Sequence, residues 1–349
     1  MSSFKKFLIS SRIFQFLFGL LFFLILSKTW LNHTSVNATT AFTELCLNQE
    51  RLSEEAQYTV SILLEKARNA DCEIAARHLA QLDKLDLSAT EIKDLTPLSS
   101  FQKITELYIA DNQIIDITPL SYLKRIEKLE LSNNSISDIS PLANMKKLET
   151  LWMWNNQVSS LKPLAKLKNL THLYLPNNKI VNLRPIAFLK NLEAIIFDNN
   201  QITDISALSL LDKLIGVSLM KNKIEDISSL ENLENLKVFM APDNRINDLS
   251  PLEKLSQLNL LILDNNLVKD IRPLSNLLNL EKVHLSHNTI VDITPLSFLP
   301  KLSYIQLNNN RIKDTSSLKN LTQVTHLNIA NNPLNYLNCP METDSICRF

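Results

Sequence analysis

Three sets of residues in this sequence are of types that do chemistry. Four cysteines, Cys46, Cys72, Cys339 and Cys347, are thiols that could oxidise in pairs. His284 and His287 lie close together, with Tyr304 and His326 further on. A metal needs three or four ligands converging on one point, and two histidines three residues apart on a strand and turn do not converge. Trp152 and Trp154 flank a single residue, and Tyr174 follows. Indole and phenol rings bury large area at low entropic cost and dominate protein interfaces. No nucleophile motif, phosphate-binding loop or metal signature accompanies them. The chemistry on offer is recognition rather than reaction, so neither catalysis nor a cofactor is expected.

The elements that position these residues follow from a repeat. Only 2 Gly and 7% aromatics accompany abundant Leu, Ile and Asn, the bias of one unit copied many times. Lys+Arg and Asp+Glu are both 36, so the positive excess that nucleic-acid binding draws on is missing. From Gln81 to Thr322 the chain divides into eleven 22-residue blocks without insertion, and a degenerate twelfth follows. Residues 103–124, KITELYIADNQIIDITPLSYLK, are one copy. The frame L-x-x-L-x-L-x-x-N-x-I recurs from Leu148/Leu151/Met153/Asn156/Val158 to Leu302/Ile305/Leu307/Asn310/Ile312. It is the frame of a leucine-rich repeat.

Each block has its own physics. Apolar residues at alternating positions, such as Leu107 and Ile109, turn one face of a short strand inward. A buried Asn follows and needs partners for both carbonyl and amide; backbone of the adjacent coil can supply them. Stacked from Asn112 to Asn332, these residues predict a ladder. The segment Asp-Ile-Thr/Ser-Pro-Leu predicts a 3₁₀ turn with Ser or Thr as N-cap and Pro at the first helical position. Ala207, Ser229 and Ser317 replace that proline and predict looser turns. The expected fold is therefore α/β: a leucine-rich-repeat solenoid with a curved parallel β-sheet of twelve strands on the concave side. Short 3₁₀ or helical turns form the convex side, and a helical cap closes the N-terminus. In that cap Ser53 and Asp71 each predict a helix N-cap.

Four regions result: a leader (1–40), a cap (41–80), the repeats (81–334) and a closing segment (335–349). Cysteines occur only before and after the repeats, and a long solenoid keeps its ends beyond disulfide reach. Cys46–Cys72 and Cys339–Cys347 are the expected pairs, which implies an oxidising compartment. In the leader, Lys5, Lys6 and Arg12 precede an apolar run from Ile13 to Leu26. As a helix that run spans about 21 Å, short of the ~30 Å hydrocarbon core. Its length fits a signal peptide, whereas the absence of a nearby A-x-A triplet and the presence of Trp30 fit a retained anchor. Either reading puts the repeats outside the cytosol: secreted, periplasmic or anchored, touching a membrane only through the leader.

Residues 112–123 (NQIIDITPLSYL) and 134–145 (NSISDISPLANM) resemble the internalin-type bacterial leucine-rich-repeat proteins. The likeness spans residues 81–334 and implies a curved sheet whose concave face binds a protein, often through exposed aromatics. Three departures stand out: Thr90 at the first ladder position, Ala241-Pro242 as an interruption of the eighth strand, and Thr315 for an apolar residue. No immunoglobulin-like domain or sorting motif follows, so a host-invasion role is not an expectation.

Residues between the inward positions face outward on the concave side. They give one track of Trp152, Trp154, Tyr174, Ile196, Met220, Met240 and Ile262, with Leu260 beside it and Tyr108 nearer the N-terminus. Asp198, Asp264, His172, Val238 and Tyr304 also face outward. Lys84, Glu106, Lys128, Glu130, Lys282 and His284 supply a charged rim. An apolar patch inside a polar rim is ordinary interface anatomy. The expected partner is a protein. Two alternatives stay open: a cytosolic scaffold gripping a phosphatase-like enzyme, and an adhesin whose rings stack on a surface glycan.

Overall fold

The computed structural model describes residues 38–336, 338–341 and 346–349, so the leader read at 1–40 lies outside the described residues up to residue 37. The described chain opens with three helices, α1 (Ala38–Leu47), α2 (Glu54–Ala67) and α3 (Cys72–Leu79). Ser53 Oγ accepts the Ala56 N–H at 3.1 Å, and one Asp71 oxygen accepts those of Glu73 and Ile74 at 2.9 Å each. Arg68, at φ 53°, ends α2 in the left-handed region. Helix α1 was not anticipated. Its signal was Phe42 and Cys46, four residues apart on one face; Phe42 packs on Phe101 with ring centroids 5.3 Å apart. The Cys46–Cys72 disulfide ties α1 to α3.

Beyond the cap, three-residue strands alternate with 3₁₀ turns, from β1 (Lys84–Asp86) to β12 (His326–Asn328). They pair in parallel, each with the strand one repeat away, so that Leu107, Leu129 and Leu151 lie side by side. A further strand, β13 (Cys347–Arg348), pairs with β12 through Leu327 and Asn328. The sheet thus has thirteen strands among the described residues, one more than the repeat count predicts. The Cys339–Cys347 bond holds the returning segment there. One continuous hydrophobic cluster runs from Phe42 in α1 to Met341.

The buried asparagines bind coil to coil. Asn200 Nδ2 donates to Leu175 O of the preceding coil (3.0 Å) and to Phe197 O and Asp198 O of its own (3.0 and 3.2 Å). Its Oδ1 accepts the Ile180 N–H at 2.9 Å. All four polar capacities but one acceptor lone pair are used, which is why the residue is buried without penalty. Thr90, where the first Asn would stand, donates its hydroxyl to Leu87 O at 2.7 Å. A second, exposed ladder runs beside the first, one residue earlier. Asn133 donates to Asp111, Asn155 to Asn133, Asn177 to Asn155 and Asn199 to Asn177. Every residue of this column from Asp111 to Asn331 has φ between 50° and 58°, a conformation Asn tolerates better than most residues.

Three sequence expectations need correction. No Ser or Thr side chain at the N-cap bonds a 3₁₀ turn; Thr118 and Ser140 are themselves first residues of their turns, after Ile117 and Ile139, and Thr315 at the last N-cap makes no capping bond. The Asp two residues earlier does the work: Asp116, Asp204, Asp226 and Asp314 accept the N–H of Thr118, Ser206, Ser228 and Ser316 at 2.7–2.8 Å. Such an Asx turn needs no proline, so Ala207, Ser229 and Ser317 sit in the same 3₁₀ geometry as their proline counterparts. Nor does Ala241-Pro242 interrupt the eighth strand; β8 (Val238–Met240) keeps full register with its neighbours. Pro242 occupies the outward position just past the strand, as Pro176 does three repeats earlier. There an N–H is bound by a side chain rather than by the ladder, as Trp154 N–H is by Ser132 Oγ (3.1 Å), so proline forfeits nothing.

Asn200→Ala should remove four hydrogen bonds and strand the Ile180 N–H in the core, while Leu175 O keeps the Asn178 amide, costing about 3 kcal/mol. Urea denaturation measures this; a loss under ~1 kcal/mol would mean the ladder decorates the stack rather than holding it.

Candidate binding face

Outward residues of the strands form three parallel columns. In the central one, Tyr108, Glu130, Trp152, Tyr174, Ile196, Ser218, Met240 and Ile262 lie consecutively in register. Each alternates with a buried strand residue, so backbone periodicity alone points these side chains outward. Trp152 ends β4 (Thr150–Trp152) and Tyr174 ends β5 (His172–Tyr174); their ring centroids are 6.1 Å apart at an interplanar angle of 35°. Trp154 is the most open of the group, 51% exposed.

These rings wall an open hollow of about 540 Å³. Trp152, Trp154, Tyr174, Ile196 and Met220 line it, together with Pro176, Asn177, Asp198, Asn199 and Lys221. Five of the residues expected at a binding site are therefore brought together. Met240 and Ile262 continue the track on β8 and β9 (Leu260–Ile262) without lining the hollow. Tyr108 belongs elsewhere: Glu130 separates it from Trp152, its hydroxyl donates to Glu106 Oε2 at 3.0 Å, and Lys84 Nζ sits 4.6 Å from its ring centroid. Lys128 closes this N-terminal polar cluster on Glu106 Oε1 at 2.9 Å, lowering the carboxyl's pKa.

Asp198 was legible as an outward residue but not as part of a site. Its Oδ1 accepts the Ser218 hydroxyl at 2.6 Å and the Met220 N–H at 2.8 Å. Burial pushes its carboxyl pKa upward, against the pull of those two donors. Burial also raises the Tyr174 phenol. Lys221 stands in the left-handed column, φ 54°, where asparagine recurs, and breaks the exposed ladder at the hollow's edge. A non-Asn residue in that conformation costs roughly 1 kcal/mol, a cost associated with functional sites. Beside the hollow, β7 (Gly216–Ser218) presents only small side chains, and a Cβ built on Gly216 meets nothing within 4 Å. The face dips there.

Toward the C-terminus the face is polar and aromatic. His284, Tyr304 and His326 stack across three coils, with centroids 5.1 and 4.3 Å apart. Gln306 Nε2 donates to Tyr304 Oη at 2.8 Å and meets His326 Nε2 at 3.0 Å, which requires that nitrogen to be an unprotonated acceptor. Among the described residues no group of three or more His, Cys, Asp or Glu is arranged to hold a metal. Burial lowers the pKa of both histidines, helped at His326 by Arg348 and opposed at His284 by Asp264. Unfolded imidazoles, at the ordinary 6.5, then take up protons more readily than folded ones. The stack's contribution is whole above 6.5 and is lost as pH falls through the lowered folded-state values. A melting series from about pH 8 to about pH 5 should show this decline, and His284→Phe/His326→Phe should flatten it; an identical slope in the variant would exclude these two residues as its cause.

The family pattern described as Leucine Rich repeats (2 copies) matches residues 124–166, 168–210 and 278–320. The chain is similar to the crystal structure of an internalin (inlF) of Listeria monocytogenes, with TM-score 0.72 and 28% identity over 81% of this chain and 91% of that one. A second Listeria monocytogenes internalin (inlC2) is 33% identical, with TM-score 0.54, over 57% of this chain and 91% of its own. The ectodomain of the Arabidopsis thaliana receptor kinase GASSHO1/SCHENGEN3, solved with CASPARIAN STRIP INTEGRITY FACTOR 2, shares the fold at 19% identity and TM-score 0.58, over 74% of this chain and 37% of that one. No curated protein sequence matches significantly.

Proposed function

The chain belongs to the internalin-like bacterial leucine-rich-repeat proteins, and on that premise we propose that it is a non-enzymatic module that binds a protein through its concave face. The observation that carries the reading is the hollow itself: two indoles, a phenol, an isoleucine and a methionine gathered on one outward surface. Nothing in the repeat requires them there, since the inward positions alone build the core. Exposed aromatic and apolar patches rimmed by polar residues mark interaction sites on soluble proteins. The charged cluster around Glu106 and the stack around Tyr304 serve as flanking rims that set register and contribute little affinity.

We place the module outside the cytosol, secreted, periplasmic or held by its leader. Supporting this, both cap segments are closed by disulfides, which reducing cytosol does not maintain. Among the described residues no helix is long and apolar enough to cross a membrane. A cytosolic phosphatase scaffold would require the same four cysteines reduced.

Purified protein denatured without reductant should titrate no free thiol; four thiols would transfer the chain to the cytosolic reading. Binding is tested with the immobilised full chain and the variant Trp152→Ala/Tyr174→Ala, probed with surface proteins and, in parallel, with a glycan array. A protein retained by the native chain should be lost at least 100-fold in the variant while the melting temperature shifts by only a few degrees, because both rings lie outside the core. Retention equal in both proteins would remove the hollow as the site, and binding confined to glycans would make the chain an adhesin.

A further inference from the structure

The hollow combines aromatic walls with a carboxylate that no cation among the described residues serves. Asp198 lies in the outward column Trp154, Pro176, Asp198, Met220, Pro242, one residue after the buried Phe197. Among the described residues no Lys, Arg or His approaches it within the 4.0 Å of an ion pair; the exposed Lys221 on the rim does not. Three repeats on, Asp264 holds the same position, and there His284 Nδ1 stands 3.9 Å away.

The structural job at this position does not need a charge. Ser132 performs it two coils before Pro176, accepting the Trp154 N–H through a neutral hydroxyl. At Asp198 a single oxygen, Oδ1, takes both available donors, the Ser218 hydroxyl and the Met220 N–H. The other oxygen and the negative charge are surplus to the fold. A half-buried anion among Trp, Tyr, Ile, Met and Pro side chains costs stability unless something pairs with it.

We infer that the hollow receives an arginine side chain of the protein partner, its guanidinium stacked on the Trp152 and Tyr174 rings and paired with Asp198. Arginine fits the surroundings better than lysine. Its planar, weakly hydrated cation stacks on aromatic faces while donating in-plane hydrogen bonds to a carboxylate, whereas an ammonium gives up more hydration on entering. The open Gly216–Ser218 stretch leaves room for the backbone that carries the side chain.

This inference rests on the proposed protein-binding role, and the test separates the two. The probe is the tripeptide acetyl-Gly-Arg-Gly-amide, with citrulline and lysine versions as neutral and ammonium controls. The full chain is labelled with 5-fluorotryptophan and its fluorine resonances, assigned by single Trp→Phe substitutions, are followed by NMR. The arginine peptide should shift the Trp152 and Trp154 signals saturably, and citrulline should bind at least tenfold more weakly. Asp198→Asn, which keeps an acceptor for Ser218 and Met220, should reduce the arginine peptide to the citrulline level.

The same variant should melt higher than the native chain near neutral pH. Because the folded Asp198 pKa is raised, the native protein gains stability as pH falls through that value, fully so below the ordinary 3.8, and the two melting curves should converge there. Equal binding of arginine and citrulline, or an Asp198→Asn variant that binds arginine normally, overturns the inference. Tighter lysine binding overturns the choice of guanidinium. If partner retention still depends on Trp152 and Tyr174 while no peptide binds, the cation pocket alone falls; if retention does not depend on them, the docking face falls with it.

Discussion

The fold depends on one constraint: a buried primary amide must find partners in two coils at once. Asn200 reaches back to Leu175 O and Ile180 N–H while holding Phe197 O and Asp198 O of its own coil. That set closes only if adjacent coils are the same length, since an insertion of one residue would move the carbonyl out of reach and leave a desolvated amide. The 22-residue spacing is thus enforced chemically, coil by coil, and the strict strand register is its consequence. Hydrophobic burial supplies most of the stabilising free energy, but burial is indifferent to register by a fraction of a turn. The amide is not.

Much of this was readable in the sequence because the repeated positions face inward, where one physical demand dictates one residue type. Leucine at the strand, asparagine at the turn and proline in the 3₁₀ segment each answer a local requirement, and eleven copies average out the noise. The misreadings fall where two residues could satisfy the same requirement. Thr118 and Asp116 are both capping types, and only the structure shows the aspartate accepting the Thr118 N–H. Pro242 looked like a breaker because proline lacks a donor, but its position is one where the ladder asks for none. Strand β13 escaped notice because two residues, Cys347 and Arg348, carry no periodicity.

The binding face was legible in outline and not in composition. Alternation alone gives the outward columns, so Trp152, Trp154, Tyr174, Ile196 and Met220 could be assigned to one surface from spacing. Tyr108 was grouped with them by type, yet the coil of Glu130 lies between it and Trp152, and its hydroxyl is engaged by Glu106. Residue type does not reveal distance along a solenoid; counting coils does. Asn177 and Asn199 joined the hollow only in three dimensions, because they come from the turn beyond the outward columns, whereas Pro176 shares the column of Trp154 and Met220 and was passed over by type.

In a solenoid the residues that make the fold repeat, so those that make the function must be the ones that do not. This gives the outward departures a weight they would lack in an irregular protein. Lys221 occupies a left-handed position where its neighbours are Asn199 and Asp243, types better suited to it. Asp198 places a charge where Ser132 manages with a hydroxyl. Gly216 leaves a strand position empty between Ala194 and Val238. Each departure costs the fold something small, and the three fall on adjacent coils beside the same aromatic walls. A single unfavourable choice would be unremarkable at this stability scale, where surface substitutions matter by ~0.5 kcal/mol. Three of them converge on one hollow, and among the described residues neither the charge of Asp198 nor Lys221 is paired in an ion pair there, which is the pattern expected where the surface answers to a demand from outside the fold.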